Sequence, residues 1–326
     1  MAPDSTARQL RAWLARAPQP VPLPARGNTL VRLQWLARAC GEQPLSIGKL
    51  FESHCDALAI LDELGLGHLA QAPGSLWGVW AAEGPAGSRV ECRRGREPGE
   101  LRLNGRKSWC SGAEALTQAL VSVWDEAGQS RLVAVRLDAP GVEVTGEGWA
   151  AVGMRETRSV DVVFSDAPAL PVGAPGAYLA RPGFWHGAVG IAACWYGAAR
   201  AVALPLKQRV AAMAVPDSIA LMHLGAVDTA LLGARRCLQA AAREIDDRPA
   251  QVGQREAQQV RLVVEAAAEA VLSHVGRALG AYPLCRVPEH AQRVADLAVF
   301  LRQSHGDRDL ASLGEAVSQA EEDWLL

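Results

Sequence analysis

The chain has 326 residues, 49% of them apolar, and a formal net charge of −2. That length suffices for one large domain or two to three coupled layers, and the balance describes an ordinary globular chain without the basic surface that nucleic-acid binding needs. No apolar run approaches the roughly 20 residues required to span a bilayer, and the start, MAPDSTARQLRAW, has no apolar signal core. Seven cysteines without a C-x-x-C pair point to reduced thiols and a cytoplasmic protein.

Helical periodicity predicts a short helix over 7–16, followed by the proline-rich connector APQPVPLPARG. Helices over 29–39 and 46–64 come next, the second ended by Gly65 and Gly67. Glu52 and Asp56 stand one turn apart around His54. With no further ligands nearby, they read as an acid pair on a solvated helix face, and no metal site is expected.

Alternating residues and turn signals predict strands over 76–82, 100–104, 119–124, 131–137, 142–145 and 160–164, at the spacing of a small barrel or sandwich. Asn104-Gly105 reads as a turn and 167–182 as a Pro/Gly linker. Helices are then predicted over 186–208, 218–245, 255–279, 288–304 and 309–326, with Asp217 or Ser218 as the cap of the second. Their apolar stripes predict a bundle.

The segment Leu101–Ala113, LRLNGRKSWCSGA, holds the chemistry. An indole beside a backbone bend and a small hydroxyl suits a flat, hydrogen-bonding ligand, with Trp109 on a ring face and Ser111 at a heteroatom on its edge. Plain barrel core is the alternative for Trp109.

Leu103, Gly105, Lys107, Trp109 and Ser111 resemble the L-x-G-x-K-x-W motif, with its following hydroxyl, of the middle domain of the acyl-CoA dehydrogenase family. Upstream, Trp80-Ala81-Ala82-Glu83-Gly84-Pro85-Ala86-Gly87-Ser88 resembles its T-E-P-x-A-G-S segment. Downstream, Gly153-Met154-Arg155, Thr157-Arg158-Ser159, Val163-Phe164 and Pro168 resemble its G-M-R-x-T-x-S run. The resemblance implies an α+β fold of three parts: N-terminal helices over 1–74, a middle β-barrel over 75–174 and a C-terminal helical bundle over 175–326. It further implies FAD as cofactor, an acyl-CoA or other acyl thioester as substrate, and a homo-oligomer, dimer or tetramer. No nucleic-acid or membrane partner is expected. Carried over by position, the flavin contacts fall on Trp80, Ala81, Ala82, Trp109 and Ser111, and a contact to the CoA part falls on Ser88.

The chain departs from that pattern in several places. It resembles a member with a short N-terminal part. Ala82 replaces a threonine. No R-x-x-F-G element follows Arg200, where the nearest basic run is Lys207-Gln208-Arg209. The Q-x-x-G-G-x-G-Y segment is only echoed by His274–Ala281. Ser304 and His305 occupy the Glu-Gly positions of the catalytic base, and His186-Gly187 occupies the family's alternative base site. The catalytic candidates are therefore His186, Ser304 and His305, because imidazole can act as a base or as a donor near neutral pH. Bland alternatives are a packed histidine for His186, a helix C-terminal histidine for His305, and capping roles for Asp307 and Asp309. Three functions follow: a thioester oxidoreductase with His in place of Glu; a flavin monooxygenase of the same fold, which needs no α-proton base; and a non-catalytic family member.

Overall fold

The computed structural model describes residues 3–85, 87–97, 99–215 and 217–320. Ala86, Pro216 and the last six residues of the helix expected to run to 326 lie outside the described residues. Helices α1 (Pro3–Leu14), α2 (Thr29–Glu42) and α3 (Leu45–Glu63) come first. Strands follow: β1 (Trp77–Trp80), β2 (Val90–Arg94), β3 (Leu101–Cys110), β4 (Gln118–Trp124), β5 (Ser130–Arg136), β6 (Val142–Val144) and β7 (Val160–Val172). Then come α4 (Ala177–Ala180), α5 (Gly183–Ala211), α6 (Ser218–Asp247), α7 (Gln254–Leu279), α8 (Tyr282–Arg286), α9 (Pro288–Phe300) and α10 (Asp307–Gln319). They form two compact units: Met1–Pro24 with Gln43–Phe184, and Ala25–Glu42 with Trp185–Leu326.

The first unit is built on a closed sheet. β4, β2, β3, β7 and β5 pair in a ring, because β4 also pairs with β5 and meets β2 at Glu91↔Trp124. Closure removes the free edges that an open sheet would present. Alternate side chains fill the interior, among them Leu103, Val121, Val133, Val162 and Phe164. On the outer side Leu120, Leu132 and Val172 pack with Trp77 against Ala57, Ile60 and Leu61 of α3. β1 pairs with β4 along one edge. On its other edge α3 side chains stand in for a neighbouring strand: Val79 N–H donates to Ser53 Oγ at 2.9 Å and Trp77 N–H to His54 Nδ1 at 3.1 Å.

Several expectations are corrected here. Asn104-Gly105 is no turn: β3 runs straight through it, with a register shift against β7 between Leu103 and Asn104. Gly105 has φ +125°, and a Cβ there would collide with the Arg89 carbonyl just before β2, a strand that the alternation did not reveal. The expected linker begins late, because β7 continues to Val172 through Pro168 and Pro171. The acid pair of α3 is not solvated. Glu52 is buried and receives Lys49 Nζ at 2.7 Å, because the helix is covered on most sides.

In the second unit α2 joins α5 to α10. Asp246 on α6 accepts hydrogen bonds from Gly27 N and Thr29 N, both at 3.0 Å, and from Thr29 Oγ1 at 2.6 Å, fastening the start of α2. α2 and α5 touch backbone to backbone: a Cβ on Gly197 would overlap the Ala37 carbonyl. The helix expected over 29–39, within the N-terminal part, therefore groups with the bundle. By length and composition α5 is long and apolar enough to cross a membrane, although no such run was expected; most of it is buried within the fold. The cap of α6 is Asp217, whose Oδ1 accepts from Ile219 N at 2.8 Å.

Candidate functional site

Within the barrel unit the expected flavin contacts gather around the end of β1 and a bulge in β3. Pairing of β3 with β7 jumps from Lys107↔Val162 to Cys110↔Val160. Trp109, in the gap, has φ +60° and is 46% exposed. A bulky residue in the left-handed region is strained, and a bulge re-aims the side chain it carries. The indole is thus presented outward, not packed in the barrel. Trp80 does pack inside, and its Nε1–H donates to the Ser111 carbonyl at 3.1 Å, tying the end of β1 to the bulge. Beyond Trp80 the chain continues through partly exposed Ala81 and exposed Ala82.

Two polar networks brace this surface. Ser88 is buried; its Oγ accepts from Ser108 N at 3.0 Å and donates to the Arg106 carbonyl at 3.5 Å, so it fastens the Ala81–Ser88 loop to β3. Buried Lys107 Nζ donates to Ser122 Oγ at 2.7 Å and to Ser122 O at 3.2 Å, while Ser122 Oγ donates to the Ala81 carbonyl at 3.2 Å. Burial lowers the pKa of Lys107, opposed by the charge of Glu83. Ser111 Oγ lies 2.8 Å from Ser159 Oγ, which lies 2.8 Å from Thr157 Oγ1, which donates to the Met154 carbonyl at 2.7 Å. Ser108, Ser122, Thr157 and Ser159 were not singled out as site residues in the sequence. Thr157 and Ser159 stand in the third motif, which carried the signal without a role.

The bundle unit holds the catalytic candidates. His186 is buried, and its Nε2–H donates to the Pro249 carbonyl at 3.0 Å. Ser304 is buried in extended backbone (φ −72°, ψ 143°) after α9 has already ended at Phe300, and its Oγ accepts from Gly306 N at 3.2 Å. The helix expected to carry Ser304 and His305 therefore stops short of both. His305 lies just before α10, not at a helix C-terminus; its side chain is 74% exposed, with Nδ1 3.6 Å from Asp309 Oδ1. Asp309 also accepts from His305 N at 3.2 Å, a capping contact. Glu265 on α7 is a buried carboxylate missed in the sequence. One of its oxygens lies 3.5 Å from Arg302, and the other has no hydrogen-bond partner. Among the described residues no group of three or more His, Cys, Asp or Glu could hold a metal ion. A cavity of about 1000 Å³ in the barrel unit is lined by Trp77, Glu114, Thr117, Gln118 and Arg136 among others, but by none of the expected flavin contacts.

Helical segments before and after a closed β-barrel define the acyl-CoA dehydrogenase-like α+β fold. Residues 81–167 match the family model described as acyl-CoA dehydrogenase, middle domain. Residues 81–167 are thus an acyl-CoA dehydrogenase middle domain, carried on a chain with the acyl-CoA dehydrogenase-like fold. The amino sugar nitrososynthase DnmZ of Streptomyces peucetius is 42% identical over 90 residues, 24% of this chain and only 21% of that protein. TdsC of Paenibacillus sp. A11-2, solved with FMN and indole, superposes with a TM-score of 0.78 at 20% identity, covering 89% of this chain and 83% of that one. The methanesulfinate monooxygenase MsuC of Pseudomonas fluorescens gives 0.74 at 20% identity, covering 99% and 98%. At that identity the two structures establish the shared fold.

Proposed function

We propose that this protein is a flavin-dependent monooxygenase acting on a small molecule that is not an acyl thioester. The observation that carries the reading is the missing carboxylate. By the register of the resemblance, Ser304 and His186 fall at the family's two base positions; in the structure the first accepts a backbone N–H and the second donates to a carbonyl. Oxidation of a thioester needs a positioned base for the α-proton, worth typically 10²–10⁴ in rate. Monooxygenation needs none. The names of MsuC and DnmZ, and the FMN in TdsC, support the same direction.

The barrel residues fit a flat flavin ring. The exposed Trp109 indole offers a stacking face, Ser111 a hydroxyl at its edge, and Ala81 and Ala82 add no bulk. A bound reduced flavin supplies two electrons, so that one atom of O₂ enters the product and the other leaves as water. Ser88 acts in this reading by holding the loop, and Lys107 through Ser122 by holding the Ala81 carbonyl. FMN, the form in TdsC, is preferred over the FAD that the resemblance implied. A homo-oligomer remains part of the proposal, supported by exposed Ile219, Leu221 and Met222 on α6.

The test mixes anaerobic protein and reduced FMN with ¹⁸O₂ in the presence of amino sugars, sulfinates or aromatic heterocycles. Incorporation of ¹⁸O into one class is expected. Fast flavin bleaching by an acyl-CoA, with no ¹⁸O product, would instead favour the dehydrogenase.

A further inference from the structure

The hydroxyl chain behind the bulge has a direction. A carbonyl oxygen can only accept, and the 2.7 Å contact of Thr157 Oγ1 to the Met154 carbonyl requires a proton between them. Thr157 has one hydroxyl proton, so it accepts from Ser159 across 2.8 Å. Ser159 has then given its proton to Thr157 and accepts from Ser111 across 2.8 Å. Each hydroxyl has a single proton, so one assignment satisfies all three contacts. Thr157 and Ser159 are buried, so water does not compete for them, while Ser111 is partly exposed at the end of the chain.

We infer that Ser111 is an acceptor-only hydroxyl, polarised by Ser159 and Thr157, which selects a ligand edge that bears an N–H. The inference rests on the flavin reading above and deepens it. The oxidised isoalloxazine ring has an N–H only at N3, and the reduced ring adds N5–H and, in its neutral form, N1–H. A bare ring nitrogen opposite Ser111 would meet lone pairs and no proton. Ser159 and Thr157 are positioning residues in this arrangement: they touch no ligand, and they set which way the Ser111 proton points. Chains of this kind strengthen the terminal acceptor because each bond polarises the next.

The test measures dissociation constants of oxidised FMN, reduced FMN and N3-methyl-FMN for the wild type and four variants. The readout is the ratio between ligands, which a purely structural role would leave unchanged while weakening all three equally. Ser159→Ala and Thr157→Val release the Ser111 proton, and Ser111→Ala removes the acceptor. Each should move a ratio by about three- to tenfold, the effect of one hydrogen bond. Thr157→Ser keeps the chain and should behave as wild type. A change confined to the N3-methyl ratio identifies N3–H as the partner. A change confined to the reduced-to-oxidised ratio identifies an N–H that only the reduced ring carries, N5–H or N1–H, and with it a site built for reduced flavin. Ratios that are the same in wild type, Ser159→Ala and Thr157→Val overturn the inference and leave the flavin reading standing. A wild type that binds none of the three flavins overturns both.

Discussion

The backbone N–H of Trp77 donates to Nδ1 of His54 across 3.1 Å, so the imidazole of α3 serves as a hydrogen-bond acceptor for the edge of β1. An acceptor nitrogen carries no proton, and burial holds this histidine well below its ordinary value, at about 4. Between about 6.5 and 4 the unfolded chain therefore binds a proton that the folded chain refuses. Stability is at its full value above that window and falls as the pH drops through it, by up to about 3 kcal/mol. Thermal unfolding from pH 7.5 to 4.5 should show the decline. His54→Asn, which keeps an acceptor and cannot titrate, should flatten it; an equal decline in the variant would place the titration elsewhere.

Gly105→Ala should destabilise the barrel by roughly 2–4 kcal/mol, because φ +125° suits glycine alone and the new methyl meets a backbone carbonyl that cannot move aside cheaply. Urea denaturation measures the effect. A loss below about 1 kcal/mol would show that β2 and β3 separate easily.

Lys107 and Ser122 should prove strongly coupled. Ser122→Ala takes one acceptor from a buried ammonium and the donor from the Ala81 carbonyl, at a cost of about 1–3 kcal/mol. Lys107→Met should cost a similar amount, and the double variant clearly less than the two together. Additive losses would mean that the pair acts independently.

Trp109→Gly should separate stability from binding. Glycine relieves a left-handed backbone that costs a bulky residue about 1–2 kcal/mol, and a half-exposed indole contributes little packing. The apo-protein should be unchanged or more stable, while flavin binding weakens at least tenfold. Parallel loss of both would make Trp109 a structural residue.

Straight-chain acyl-CoAs should fail to bleach the flavin-loaded protein under anaerobic conditions, and Ser304→Glu should not rescue the reaction. Position 304 is buried in extended backbone beyond the end of α9, where a carboxylate lacks the helical placement that the family register implied. Rescue by Ser304→Glu would show that this segment adopts that placement when flavin is present.

Much of the architecture was legible from spacing alone. Alternation marked β4 and β5, three- and four-residue steps marked α6 and α7, and the Asp217-Ser218 pair marked the start of α6, where the structure selects Asp217. These signals are local, because side-chain direction repeats every two residues on a strand and every 3.6 on a helix. Motif order pointed to Trp80, Trp109 and Ser111 for the same reason: each lies in a short run that can be read without its neighbours. What the chain order could not reveal was pairing at a distance. Ser88 reaches Ser108 over 20 residues, Ser111 reaches Ser159 over 48, and Thr29 reaches Asp246 over 217. Barrel closure, the β3 bulge and the close approach of α2 to α5 decide those contacts. A shift of one residue in strand register would turn Trp109 inward and break the hydroxyl chain. The residues proposed to face the flavin ring could be named from the sequence, whereas the direction of the Ser111 proton was decided only when the fold brought Thr157 to the Met154 carbonyl.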